Sequence, residues 1–383
     1  MTFSELKIIK PLVSALDKLG YAQATPIQQQ AIPPILEGKD IFGCAQTGTG
    51  KTAAFALPVL QILSAAKPSG SARKIGALIL APTRELALQI SASVNSYTGG
   101  LPLSHTTVFG GVSQHHQVKD LRRGVDILIA TPGRLLDLMQ QGFVDLNHIR
   151  FFVLDEADRM LDMGFINDIK RVIAKLPARK QTLFFSATAS PDIMKLANTL
   201  LKEPVKVSVD PVSSASELIK QSVYYVSGEN KRALLKYILK DGKIEHALVF
   251  TRTKRGADRV AKELNSSGII AEAIHGNKSQ GARERALKGF KNRSIRILVA
   301  TDIASRGIDV DKLSHVINFE IPEQAETYVH HIGRTGRAGS QGTALSLCTR
   351  DELPYLKDIN KLIRKNIEVV SSHPFSQVDK SNK

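Results

Sequence analysis

Short apolar runs recur along the chain, each followed by small or polar residues and then by a stretch with helical spacing. In the first half these are "DIFGCA" (40–45), "ALILA" (77–81), "TTVFG" (106–110), "DILIA" (126–130), "FFVL" (151–154) and "TLFFS" (182–186). In the second half they are "ALVF" (247–250), "GIIAEAI" (268–274), "IRILVA" (295–300), "HVINF" (315–319) and "TALSL" (343–347). Apolar runs of this length that alternate with helices predict buried parallel strands, hence an α/β fold. The stretch "EPVKVSVDPVSSASE" (203–217) interrupts the pattern and reads as a strand followed by a linker. The expected organisation is therefore a first domain over 1–205, a linker over 206–217, a second domain over 218–370 and a polar, disordered tail over 371–383.

Composition narrows the class. Two cysteines among 383 residues, Cys44 and Cys348, support neither a disulfide framework nor a zinc site. The N-terminal "MTFSELKIIKPLVSALDKLG" is amphipathic and not a signal peptide, and no apolar run reaches membrane-spanning length. A soluble, cytoplasmic protein is expected, with no membrane partner. The formal net charge is +16, with 22 Lys+Arg against 16 Asp+Glu up to residue 205 and 30 against 20 beyond it. An excess spread over both halves points to a polyanion meeting the whole chain and not a basic tail.

The candidate chemistry starts at "AQTGTGKT" (45–52), which follows the first strand and opens a helix. Gly48 and Gly50 allow the backbone to curl so that its N–H groups, those of Gln46, Thr47 and Thr49 included, face phosphate oxygens. Lys51 would reach the β- and γ-phosphates and the Thr52 hydroxyl would bind Mg²⁺. Ala45 stands where the strict pattern has Gly. Asp155, Glu156 and Asp158 crowd the end of a buried run in "FFVLDEADRM" (151–160). Carboxylates this close disfavour one another's ionisation unless a cation is near. Asp155 suits the second Mg²⁺ ligand of a P-loop enzyme, and Glu156 the base that deprotonates the attacking water. Mg²⁺ alone leaves Asp158 without an explanation.

"DEAD" at 155–158 is the namesake of the DEAD-box RNA helicases, and the chain resembles that family from Phe3 to about residue 350. The family's motifs stand in order: "TPIQ" (25–28), "AQTGTGKT" (45–52), "PTRELA" (82–87), "GG" (110–111), "TPGR" (131–134), "DEAD", "SAT" (186–188), "VFTRTK" (249–254), "QGAR" (280–283), "ATDIASRGID" (300–309) and "HHIGRTGR" (330–337). Within the family the bacterial RhlE-type group is the most similar. The resemblance implies two RecA-like domains, each a parallel sheet flanked by helices, joined by a short linker. It also implies ATP and Mg²⁺ as cofactors, RNA as partner, a monomer, and possible ribonucleoprotein or RNA-decay partners. The activity implied is RNA-stimulated ATP hydrolysis coupled to domain closure, strand bending and local unwinding of short duplexes.

Site residues follow from the same resemblance. Thr25 and Gln28 would serve adenine, with Phe3 stacked on the base; a Gln amide offers one donor edge and one acceptor edge, which match adenine and mismatch guanine. Asp309 would bind the ribose, and Arg334 and Arg337 would be arginine fingers. Asp158, Ser186, Thr188 and His330 would couple the ATP site to RNA, the two hydroxyls bonding Asp158 and His330. RNA contacts map to Pro82, Thr83, Arg84, Gly110, Gly111, Thr131, Pro132, Gly133 and Arg134, and to Arg252, Arg283, Thr301 and Gly307. Glycines, threonines, arginines and helix N-termini suit sugar–phosphate contacts, so binding should be independent of sequence. One departure stands out: His331 replaces the Arg usual in the family, which leads us to expect an altered or pH-sensitive domain contact there.

Overall fold

A computed structural model of the protein describes residues 1–45, 48–66, 73–209, 219–240, 242, 244–302, 313–336 and 342–376. The chain forms two compact units, Met1–Val209 and Asp210–Lys383. In the first, β1 (Ile41–Cys44), β2 (Ala77–Leu80), β3 (His105–Val108), β4 (Ile127–Ala130), β5 (Phe151–Leu154), β6 (Gln181–Ser186) and β7 (Val205–Ser208) form one parallel sheet in the order β3-β4-β2-β5-β6-β1-β7.

The central strands are apolar throughout because both faces are covered. Ile79, Val153, Leu183 and Phe185 point into one core, while Leu78, Leu80, Phe152, Leu154 and Phe184 point into the other. Phe55 packs on Phe185 at 5.5 Å from one side, and Phe42 stacks on Phe184 at 5.7 Å from the other. Gly43 in β1 is required by that packing, since a Cβ there would lie 2.5 Å from the Phe185 ring.

The second unit repeats the plan with β8 (Ile219–Tyr225), β9 (Ala247–Thr251), β10 (Ala271–Ile274), β11 (Ile297–Thr301), β12 (His315–Asn318), β13 (Gly342–Cys348) and β14 (Glu368–Val369). Their order is β10-β11-β9-β12-β13-β8-β14, again parallel. In a parallel sheet all strands end at one edge, and ligand-binding loops collect there. Among the described residues no helix is long and apolar enough to cross a membrane.

Three details depart from the sequence pattern. Strand β7 runs past residue 205 and belongs to the first sheet, pairing with β1; of the expected linker, residues 210–217 lie outside the described residues. Strand β8 went unseen because "IKQSVYY" mixes polar and apolar residues and is no short apolar run. Inside the expected disordered tail, the His373 ring lies 5.6 Å from Tyr224 and Phe375 lies 6.5 Å from Tyr237.

Candidate active site

The strand order divides the working edge of the first unit in two. β5, β6 and β1 bring the carboxylates, "SAT" and the P-loop together; β3, β4 and β2 bring "GG", "TPGR" and "PTRELA" together.

On the first side, Gly48 and Gly50 take φ of +90° and +95°, where a side chain would be strained. Gly50 caps the helix Lys51–Ala65. Gln46 and Thr47 lie outside the described residues. Ala45 is fully buried, its methyl in the core, and its carbonyl accepts the Lys51 ammonium at 2.7 Å. Gln28 is 3% exposed; its Oε1 accepts the Thr25 N–H at 2.8 Å, and its Nε2 donates to the Gly50 carbonyl at 3.1 Å. The amide thus braces the P-loop through both its oxygen and its nitrogen. Phe3 is a correction: it is 3% exposed and packed with Leu6 and Ile8 in the core, so its ring offers no open face for a base. An apolar ring near a chain terminus gains most by joining the core.

Asp155 and Glu156 follow β5 and are each 2% exposed. Burial pushes the Asp155 carboxyl up to about 6, Glu156 beside it pushes the same way, and Lys51 and Arg159 pull it back. Asp158 is also raised, chiefly by burial. Glu156 adopts φ +55°, unusual for a side chain of this kind, and pairs with Arg159; both side chains are 3% exposed. Arg159 went unnoticed in the sequence although it directly follows "DEAD". Three buried carboxylates thus face two cations, Lys51 and Arg159, which leaves one negative charge in excess.

Among the described residues, the buried Asp155 Oδ1 atom has no hydrogen-bond partner. A hard cation bound through one carboxylate, a hydroxyl and substrate phosphates fits that orphaned oxygen, with half-buried Thr52 at the second position of the neighbouring helix.

The link from Asp158 to "SAT" differs from the expected one. Asp158 Oδ2 accepts the backbone N–H of Ala187 at 3.1 Å, while the Ser186 hydroxyl accepts the Thr188 N–H at 3.3 Å. Asp158 therefore finds its partner in the motif's main chain and not in its hydroxyls.

On the other side, Thr83 caps the helix Arg84–Thr98 by accepting the Leu86 N–H, and Thr131 with Pro132 opens the helix Pro132–Gln140. Two helix N-termini therefore face one edge, a ready phosphate cradle. The Arg84 guanidinium lies over Gly111, whose φ is +76°. Gly133 is exposed, and a Cβ added there would meet nothing within 4 Å. Arg134 donates to the Val112 carbonyl at 3.2 Å and to Gln117 at 3.4 Å, so it ties the "GG" loop to its own helix. Gln117, missed in the sequence, clamps that loop through both backbone groups of Phe109.

In the second unit, Thr301 ends β11 beside Thr251 of β9, and Arg283 sits in the first turn of the helix Gln280–Lys291. Arg252, expected as an RNA contact, also has partners inside its own unit. Its guanidinium donates to the Ile321 carbonyl at 2.7 and 3.1 Å and to Glu352 at 3.0 Å, and lies over Tyr355. Glu352 is 3% exposed and holds Lys231 as well, so the buried charge claims both cations. Lys254, two residues on, is exposed as well and is bonded to Asn277 at 2.8 Å. Arg334 is 4% exposed, one turn beyond His330, which is half-buried. Gly307, Asp309 and Arg337 lie outside the described residues.

Comparison with known proteins fits this arrangement. Residues 25–196 match the DEAD/DEAH box helicase family, and residues 230–339 match the helicase conserved C-terminal domain. The ATP-dependent RNA helicase CshA of Limosilactobacillus reuteri is 42% identical over 366 residues, covering 95% of this chain and 72% of CshA. The chain belongs to the DEAD-box family of ATP-dependent RNA helicases. RNA helicase CrhR of Synechocystis is 42% identical over 379 residues, covering 99% of this helicase and 76% of CrhR. Among solved structures, S. cerevisiae Dbp5 bound to RNA and ADP BeF3 superposes with a TM-score of 0.84 at 29% identity, over 96% of this helicase and 95% of Dbp5. Two parallel sheets flanked by helices are thus two RecA-like domains.

Proposed function

We propose that this helicase hydrolyses ATP when RNA occupies the loops after β2, β3 and β4, and that closure of the two units completes the catalytic site. Lys51 leaves the Ala45 carbonyl to meet the β- and γ-phosphates, Glu156 accepts the proton of the attacking water, and Arg334 and Arg337 approach the γ-phosphate from the second unit. Mg²⁺, held by Asp155 and Thr52, would neutralise phosphate charge. Gln28 and Thr25 favour adenine, Asp309 holds the ribose, and Asp158 with "SAT" and His330 couples hydrolysis to RNA. RNA lies along Pro82–Arg84, Gly110–Gly111 and Thr131–Arg134, then along Arg252, Arg283, Thr301 and Gly307, with exposed Lys254 beside Arg252. We also propose a monomer, partners in RNA turnover, and a place near the RhlE-type group.

The observation that carries this reading is the row of buried carboxylates beside Lys51, on the same sheet edge as the glycine and arginine loops. Its test is steady-state ATPase with matched RNA and DNA oligonucleotides, alongside unwinding of a short RNA duplex. Stimulation by RNA over DNA, lost in Arg337→Ala, is expected, since arginine fingers supply roughly 10³–10⁵-fold in rate. Full RNA-stimulated turnover in Arg337→Ala would refute the shared site.

A further inference from the structure

His331 sits in the last turn of the helix Ala325–Ile332, three residues before Arg334. The residue is 4% exposed. It lies flat on Phe250 of β9, with centroids 3.6 Å apart and planes 6° from parallel. Nδ1 is 2.7 Å from Asn318 Oδ1 in β12, and Nε2 is 2.7 Å from Asp302 Oδ1, directly after β11. The Asn318 amide is oriented by its Nδ2, which donates to Ser346 Oγ at 3.2 Å, so its oxygen faces the ring. Both ring nitrogens thus face acceptors, and a neutral imidazole carries only one N–H.

We propose that His331 is a positioning residue that works as an imidazolium, pinning Asp302, the start of the segment leading to Gly307 and Asp309, to the helix leading to Arg334 and Arg337. It rests on the helicase reading of those four residues. Among the described residues, the charged group against the ring is Asp302; His330 precedes it on its own helix, Arg334 follows two residues beyond the helix end, and β9, β12 and β13 bring Phe250, Asn318 and Ser346. A cation between a carboxylate and an amide oxygen, stacked on an aromatic face, is well satisfied despite its burial. Loss of the Nδ1 proton would set a lone pair against Asn318 Oδ1. Relief would need the amide to flip and the Ser346 hydroxyl to reverse, so the pin would loosen.

The sign follows directly. The imidazolium is present at low pH and lost as pH rises through its folded pKa, so RNA-stimulated kcat should fall on the alkaline side. His331→Arg keeps the positive charge toward Asp302 and should hold kcat near the wild-type plateau while removing that alkaline fall. His331→Gln, neutral at every pH, should lower kcat by about tenfold to a hundredfold, as small misplacements of a distant catalytic group do.

Two measurements on the full chain test the proposal. In the first, nitrogen-resolved NMR of the histidine rings in the nucleotide-free protein, with His331→Gln used to assign the signal, should show both His331 nitrogens protonated near neutral pH. One protonated nitrogen overturns the proposal even if ATPase behaves as expected. The second measures kcat with saturating RNA from about pH 5.5 to about pH 8.5, the range in which histidine titrates. Superimposable wild-type and His331→Arg profiles, or wild-type turnover in His331→Gln, also overturn it. Absence of any RNA-stimulated ATPase in the wild type would sink the helicase reading instead, and the ring measurement would still report on His331.

Discussion

Gly111 offers the sharpest test of the RNA face. At φ +76° its missing Cβ would fall 2.1, 2.2 and 2.3 Å from Nη1, Nη2 and Cζ of Arg84. Non-bonded heavy atoms prefer roughly 3.5 Å or more, so in Gly111→Ala the guanidinium must retreat by over about 1 Å. The left-handed backbone adds about 1–2 kcal/mol for any residue with a Cβ. Thermal stability should therefore drop by that amount, while ATP affinity stays near wild type because the P-loop lies across the sheet. If Arg84 grips a phosphate, displacing it costs one charge-assisted hydrogen bond, about 1.5–3 kcal/mol, or roughly 10- to 100-fold in Kd. The assay is fluorescence anisotropy of a labelled single-stranded RNA at fixed salt, with a non-hydrolysable ATP analogue present. Arg84→Ala should weaken binding similarly, and the double variant should lose little more, because both remove one contact. Gly133→Ala is the control: nothing lies within 4 Å of its Cβ, so stability should hold and any loss of affinity reports RNA approaching that backbone. Wild-type RNA affinity in Gly111→Ala, with the stability loss present, would remove Arg84 from the binding surface.

The site on the other half of the edge gives three more tests. Glu156→Gln should keep nucleotide binding but slow hydrolysis by orders of magnitude and trap the protein on RNA, because an amide cannot accept the water's proton; multiple-turnover ATPase and RNA dissociation rates check it. Arg159→Met should remove the cation that pairs with buried Glu156, at a cost of up to about 3–5 kcal/mol in denaturant unfolding, and adding Glu156→Gln should restore most of that loss. Asp155→Asn should abolish ATPase yet stabilise the free protein at pH 8. The Asp155 carboxyl moves from 3.8 to about 6 on folding, so the folded state holds its proton longer and stability falls as pH rises through that window. The advantage of Asn, at most about 3 kcal/mol, should be full above about pH 6 and gone below about pH 4, as thermal melts across pH would show.

Much of the fold was legible because a central parallel strand leaves a short, wholly apolar run, as in Phe151–Leu154, and because glycine and proline mark the loops between runs. What escaped was carried by polar residues whose role exists only in three dimensions. Ile219–Tyr225 pairs with β13 and β14 yet carries three consecutive polar residues, Lys220, Gln221 and Ser222. Gln117 looks like any surface glutamine in sequence, and only its place beneath Phe109 makes it a clamp. Arg252 shows the same limit: its motif says nothing of the buried Glu352, 100 residues away, that holds one side of its guanidinium. Motif spacing tells which loop a residue sits on, whereas burial and partners decide what its side chain does there.

The two halves of the working edge meet at one pair of strands. β2 and β5 run side by side with Leu80 opposite Leu154, and the Asp155 N–H donates to the Leu80 carbonyl at 3.0 Å. Pro82, Thr83 and Arg84 begin two residues after that carbonyl, and Glu156 begins one residue after that amide. The candidate RNA grip and the candidate water-activating base therefore hang from opposite ends of a single hydrogen bond, in a core too closely packed to absorb a shift smoothly. From Asp158 the path continues through the Ala187 amide at the end of β6, whose neighbour β1 leads into the P-loop. Four adjacent strand ends, those of β2, β5, β6 and β1, thus connect Arg84 to Lys51 without any long-range relay. Within this unit the loop after β2 and the carboxylates are thus joined through that hydrogen bond, with the buried Glu156–Arg159 ion pair one residue beyond it.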